Sequence, residues 1–149
     1  MSLYNLIFLM LLPVIFLRTI YKSWKFGEKF SRNYEKLSLF YSNKRNSKKV
    51  IHIHAVSVGE VLASRKFVEE VKNKFPNHQI LVTCTTQTGS ETIKKLYGDS
   101  VAHQYLPFDI SFFVKRFLNY WQPEVTFLLE TDIWPNLINQ LNREKRKVF

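Results

Sequence analysis

Cysteine, glycine and proline are all scarce in this chain, with one, four and five residues among 149. The single thiol, Cys84, excludes a disulfide framework. Its place in the apolar run QILVTC makes it a small core residue rather than a nucleophile. So little glycine and proline excludes a collagenous or low-complexity chain. The four histidines have no zinc-like spacing with cysteine. His52 and His54 would share one strand face without a third ligand, so no metal is expected. Gly59 and Gly89 form neither a phosphate loop nor a GxGxxG pattern, which leaves no dinucleotide fingerprint. Acids are also few, 12 against 22 Lys and Arg. No basic residue stands before the first apolar run and no small-residue cleavage site follows it, unlike a secretory leader.

What the chain does have is apolar and aromatic residues, 46% and 15%, enough for one domain with a packed core. Its charge of +10 is uneven: residues 18–49 carry +8, residues 51–142 carry −1 and residues 143–147 carry +3. A nucleic-acid binder would hold its positive charge on the folded domain, so the basic flank suits a membrane surface instead. Residues 3–17, LYNLIFLMLLPVIFL, are almost wholly apolar, and Arg18, Lys22, Lys25 and Lys29 follow them. The run is shorter than the roughly 20 residues of a spanning helix, although Ile20, Tyr21 and Trp24 extend it. An uncleaved anchor, 1–24, is expected at the cytoplasmic face of the membrane, either spanning it or lying in its interface. Residues 25–49 read as a basic juxtamembrane linker containing a short helix, and residues 50–149 as the folded domain.

From residue 50, strands and helices alternate. Strands are expected at 50–56, 79–84, 101–106 and 125–129, and helices at 61–75, 90–97, 110–121 and 134–147. Residues 148 and 149 begin a fifth strand. This βαβα order predicts a parallel sheet. In such a sheet the strand-end loops converge on the carboxyl edge. They would gather Glu60, Glu130 and Asp132 with hydroxyls from Ser57, Thr85, Thr86 and Thr88. An ionised carboxylate at a helix N-terminus can serve as a general base toward a hydroxyl. Glu60 and Asp132 have plainer readings, as a first-turn acid and a helix cap, and Glu130 stays open between cap and site.

Four motifs make the reading more specific: HAVSVGE at 54–60, TTQTGSE at 85–91, YLPFD at 105–109 and ETDIWPN at 130–136. Their order, behind a basic anchored N-terminus, resembles the Kdo (3-deoxy-D-manno-octulosonic acid) transferases of lipopolysaccharide assembly. The resemblance covers nearly the whole chain. It implies a Rossmann-like parallel sheet, the N-terminal acceptor domain of a glycosyltransferase-B fold, together with inverting chemistry that needs no metal or other cofactor. The donor would be CMP-Kdo and the acceptor the lipid A precursor, at the cytoplasmic face of the inner membrane, with membrane lipids as further partners and no nucleic acid. By position in the motifs, Glu60 becomes the proton acceptor and Glu130 a transition-state or positioning group. Ser57, Gly59, Thr86, Thr88 and Gly89 become candidate substrate contacts. Where the family commonly has Glu and Leu inside the last motif, this chain has Asp132 and Ile133. The family's C-terminal CMP-sugar domain is not found in these 149 residues, so a separately encoded partner is one expectation. An inactive remnant and a membrane-tethered lipid-binding module are the rival readings.

Overall fold

A computed structural model describes residues 3–129 and 133–149. Five parallel strands form one sheet: β1 (Lys49–His54), β2 (His78–Cys84), β3 (Ala102–Tyr105), β4 (Pro123–Leu128) and the short β5 (Lys147–Val148). Their spatial order is β3-β2-β1-β4-β5. The chain steps outward from β1 to β3 and then returns to place β4 on the other side of β1. The expected Rossmann-like parallel sheet is present, and the direction of winding, though not of the strands, reverses between β1 and β4.

β1 organises both layers because its side chains alternate. Ile51 and Ile53 join Ile80, Val82 and Cys84 in a core that also takes Val61, Val68 and Ile93. Those last three come from the helices α2 (Val58–Ala63), α3 (Arg65–Lys74) and α4 (Gln87–Tyr97). Val50 turns the other way, to Leu81 and to Phe117, Leu118 and Trp121 of α5 (Ser111–Trp121), and Leu137 and Leu141 of α6 (Pro135–Arg143). Both faces are covered, as a parallel sheet requires.

The buried histidines also follow that alternation. His52 stands edge-on to Phe117 at 5.4 Å and His54 edge-on to Trp134 at 5.2 Å. The Thr83 hydroxyl lies between them, 2.8 Å from His52 Nε2 and 2.9 Å from His54 Nδ1. Here threonine and histidine fill core positions as hydrogen-bonded pairs.

Several element boundaries differ from those expected. The single helix expected over 61–75 is two, α2 and α3, divided at Ser64, whose hydroxyl donates to the Val61 carbonyl at 3.0 Å. Leu62 is exposed as a result. Helix α4 starts three residues before Ser90, because the Thr86 side chain accepts the Gly89 N–H. Helix α6 stops at Arg143, just before Lys145 takes a left-handed φ of 54°. Phe112 is exposed on α5.

Residues 25–49, expected as a linker with a short helix, contain a 3₁₀ helix, Phe30–Leu37, that packs on the free edge of β3. Asn43 Oδ1 accepts the outward N–H of His103 at 2.7 Å, and Glu35 Oε2 accepts that of Tyr105 at 2.8 Å. These are edge groups of β3, so side chains complete the ladder that no further strand supplies. Glu35 is fully buried and paired with Arg32 through bonds of 3.1 and 3.0 Å. Arg32 reaches on to Ser90 and, at 3.3 Å, to His103 Nε2. His103 Nδ1 lies 2.8 Å from the Val82 carbonyl, so Nδ1 carries the proton and Nε2 is the acceptor.

That tautomer has a consequence for acid stability. Burial first, then the neighbouring Arg32 charge, hold His103 down at about 3, and burial holds His54 at about 4 and His52 well below its ordinary range. Each folded value lies below the ordinary 6.5. The unfolded chain therefore takes up these protons first. Their stabilisation is complete above pH 6.5 and is lost as pH falls toward 4 and 3. Glu35 and Asp109, raised by burial, act in the opposite direction. A His103→Gln variant isolates one contribution: its unfolding free energy should lose about one proton of pH dependence between pH 6.5 and 4. Chemical denaturation across that range measures it, and an unchanged slope would remove His103 from the account.

Candidate active site at the carboxyl edge of the sheet

The crevice outside the strand ends at a topological switch point is where open α/β sheets hold ligands. Here that point lies between β1 and β4. After β1 the chain runs through Ala55, Val56 and Ser57 into α2, which places Glu60 in the first turn. The Glu60 carboxylate folds back on the loop. It accepts the Val56 N–H, the Ser57 N–H at 3.3 Å and the Ser57 hydroxyl at 2.8 Å. Ser57 therefore donates to Glu60, and the two residues fix each other. The segment after β4 carries Glu130, Thr131 and Asp132, which lie outside the described residues, so the expected role of Glu130 has no geometry here.

The other expected contacts separate into two groups. Thr85, Thr86 and Thr88 line one cavity of about 530 Å³ with Gln87 and Glu91 from α4. Thr85 also belongs to a second cavity of about 420 Å³, with Val56, Leu106, Phe108, Asp109 and Trp134. Val56 is thus shared between this cavity and the Glu60 carboxylate. Gly89, by contrast, is buried: a Cβ built there would lie 2.8 Å from Thr86 Oγ1 and 3.4 Å from Cys84 Cβ. Its role is close helix-to-strand packing, and the role of Thr86 is to cap α4. Gly59 is open to solvent, and a Cβ built there would come no closer than 4.0 Å to Ser57 Oγ. Burial pushes the Cys84 thiol up to about 12, which fits a core residue.

Two features of the edge were not anticipated. Asp109, the last residue of the YLPFD motif, is a buried cap for α6. Its Oδ2 accepts the Asn136 N–H and its Oδ1 the Leu137 N–H, both at 3.0 Å. The sequence signal was the proline at the start of that helix, which leaves the next N–H groups seeking an acceptor. The second is the roof. Helix α1 (Leu3–Lys25) lies along the carboxyl edge and contributes Tyr4, Phe8, Ile15 and Thr19 to the smaller cavity. Near its start, Asn5 Nδ2 donates to Ser111 Oγ at 2.9 Å and Tyr4 donates to Asp109 at 3.2 Å. Near its end, Ser23 donates to Asn33 at 2.9 Å.

A family model described as 3-deoxy-D-manno-octulosonic-acid transferase (kdotransferase) matches residues 26–149. The chain belongs to the Kdo transferase family. It is 48% identical over 91 residues to a 3-deoxy-D-manno-octulosonic acid transferase of Haemophilus influenzae, a match covering 61% of this chain and 21% of that protein. It is 30% identical over 144 residues to one of Rickettsia bellii, covering 97% of this chain and 34% of that protein. The chain thus spans about a fifth to a third of the length of these Kdo transferases. Among solved structures, the S. aureus MnaA–UDP co-structure aligns with TM-score 0.47 and 14% identity, covering 80% of this chain and 34% of that one.

The packing around Gly89 gives a direct test of the Kdo transferase edge. Replacement by Ala should lower the unfolding free energy by about 1–3 kcal/mol, the usual cost of overpacking. In an open helix site the same change would raise it by up to about 1 kcal/mol. Thermal melting decides between them, and a raised melting temperature would mean that the position is open space available to a ligand.

Proposed function

We propose that this chain forms the acceptor side of an inverting Kdo transferase, with Glu60 as the proton acceptor. The observation that carries the reading is the fixed Glu60 carboxylate beside the β1/β4 switch point. Three donors occupy three of its roughly four lone-pair positions and leave one for a substrate hydroxyl. In the reaction, the 6-hydroxyl oxygen of a glucosamine in the lipid A precursor attacks the anomeric carbon of Kdo. The bond from that carbon to the CMP phosphate breaks, CMP leaves, and Glu60 takes the hydroxyl proton. Attack from the face opposite CMP inverts the anomeric centre. In a glycosyltransferase-B arrangement, the donor is held by a C-terminal domain facing this edge. Glu130 is assigned to transition-state stabilisation or positioning from its place in the ETDIWPN motif.

Membrane association belongs to the same proposal, at the cytoplasmic face of the inner membrane. Helix α1 is long and apolar enough to cross a membrane. It spans about 34 Å at 1.5 Å per residue, yet Asn5 near its start bonds to Ser111 of the domain, and Ser23 near its end bonds to Asn33 of the segment held on β3. A helix crossing the bilayer could not keep both sets of bonds. We therefore read α1 as lying in the interface, with Leu6, Met10, Leu17 and Trp24 exposed to lipid and Arg18, Lys22 and Lys25 at the headgroups.

Two experiments test these readings. With the remainder of a full-length family member joined after Phe149, Glu60→Gln should leave folding and acceptor binding intact and lower turnover by about 10²–10⁴-fold. Near-normal turnover would leave Glu60 a loop-fixing residue only. The 149-residue chain alone should give no measurable transfer, since donor and acceptor would not be held together. For α1, a cysteine-accessibility scan in membrane vesicles should find positions 5 and 23 shielded on the same side. Labelling of position 5 from the opposite side would establish a spanning helix.

A further inference from the structure

The two cavities at the carboxyl edge share three residues: Thr19 of α1, Lys36 of the 3₁₀ helix and Thr85 after β2. Lys36 is the cation among them. Its backbone is fixed where its carbonyl accepts the Phe108 N–H at 2.9 Å, and its ammonium sits 4.4 Å from the centroid of the Tyr105 ring. Among the described residues no carboxylate lies within ion-pair distance of it. The nearby acids are already engaged. Glu28 accepts from Tyr105 at 2.6 Å and lies 3.5 Å from Arg32, Glu35 is bound to Arg32, Glu91 accepts from Gln87 at 3.1 Å, and Asp109 caps α6. Burial draws the Lys36 pKa below the usual lysine range. A part-buried ammonium without a counter-ion among the described residues has lost hydration that an anionic ligand could replace.

The walls on either side differ in a way that describes the ligand. On one side are Thr85, Thr86, Gln87 and Thr88, together with the carboxylates of Glu28 and Glu91, which accept from Tyr105 and Gln87. On the other are Phe8, Ile15, Leu106, Phe108 and Trp134. α1, whose outer face is exposed and apolar, roofs both. The Thr86 and Thr88 hydroxyls near an ammonium suit a phosphate, and an aromatic and aliphatic trough beside them suits a hydrocarbon chain.

We propose that Lys36 is an anion-recognition residue that holds a phosphate group of an acylated, phosphorylated acceptor, with Thr85 beside it and an acyl chain against the apolar wall. This rests on the acceptor-side reading above and adds the group recognised and the residue that recognises it. Lys36 would be a binding and positioning residue, at a distance from the Glu60 carboxylate that takes the proton.

The test is lysine footprinting of the purified 149-residue chain in neutral detergent micelles. Lys36 acetylation is quantified by mass spectrometry, with Lys66 and Lys115 as exposed internal references. The probes are a diphosphorylated tetraacyl glucosamine disaccharide, the same lipid without phosphates, and inorganic phosphate. The phosphorylated lipid should slow Lys36 modification at least about fivefold, while the dephosphorylated lipid and inorganic phosphate should not. Equal protection by the dephosphorylated lipid would overturn phosphate recognition. Equal protection by inorganic phosphate would overturn the lipid assignment. As a second readout, Lys36→Met should weaken binding of the phosphorylated lipid about tenfold to a hundredfold, the usual worth of a charged hydrogen bond. Lys36→Arg should restore most of it. A folded Lys36→Met chain of unchanged affinity would overturn the proposal. These are binding measurements, so they can fail while Glu60→Gln still abolishes transfer, or succeed while it does not.

Discussion

The double ladder of β1 is the constraint on which the other elements depend. β1 pairs in parallel with β2 through all six of its residues, from Lys49–His78 to His54–Thr83, and with β4 on its other side. A strand bonded on both sides has no freedom to slip, because a one-residue shift would exchange its two faces. That would send Val50, His52 and His54 into the layer built for Ile51 and Ile53. Both cores are thus set by one register. The same register fixes where β1 ends, and so where Val56 and Ser57 present their N–H groups to Glu60.

The opposite edge of the sheet is completed by polar side chains rather than by another strand. β3 would expose the N–H groups of His103 and Tyr105, and Asn43 and Glu35 accept them. Using a fully buried glutamate for this requires a buried partner, and Arg32 supplies it. Such a pair is expensive to desolvate and adds little net stability, but removal of one member leaves a buried charge, at about 3–5 kcal/mol. Its structural effect is to bind the basic segment to the sheet. Residues 26–49 are therefore held against the domain and bring Lys36 to the carboxyl edge.

The sequence displayed what local patterning encodes and concealed what distant contacts decide. Short apolar runs placed all four long strands within about two residues, and the motif loops after β1, β2 and β3 fall at the carboxyl edge. The division of the first helix at Ser64 was hidden, because Val61, Val68 and Val71 fit a single apolar stripe equally well. The role of residues 25–49 was hidden for a different reason: Arg32 meets Ser90 and Glu35 meets Tyr105 across 58 and 70 residues of sequence. One local clue existed, the spacing of Glu28, Arg32 and Glu35 at i+4 and i+3 inside a segment otherwise read for its positive charge. At the site, Glu60 was legible as a first-turn acid. The packing role of Gly89 was not, because nothing local reveals the approach of Thr86 and Cys84.

Glu60 shows why the structural and chemical readings of one residue need not compete. A general base must present its oxygen in a fixed direction, and a flexible surface glutamate does not. The fixing groups here are two backbone N–H groups and the hydroxyl of Ser57, all on the loop between β1 and α2. That loop is tied in turn to β2, because the Val56 carbonyl accepts both the N–H and the hydroxyl of Thr85, at 3.1 and 3.2 Å. The donor groups thus hold their geometry because the sheet does. A carboxylate fixed in this way meets an incoming hydroxyl without reorganising its own surroundings. On the proposed reading, the helix-start role of Glu60 is the means by which the loop would prepare it for proton transfer.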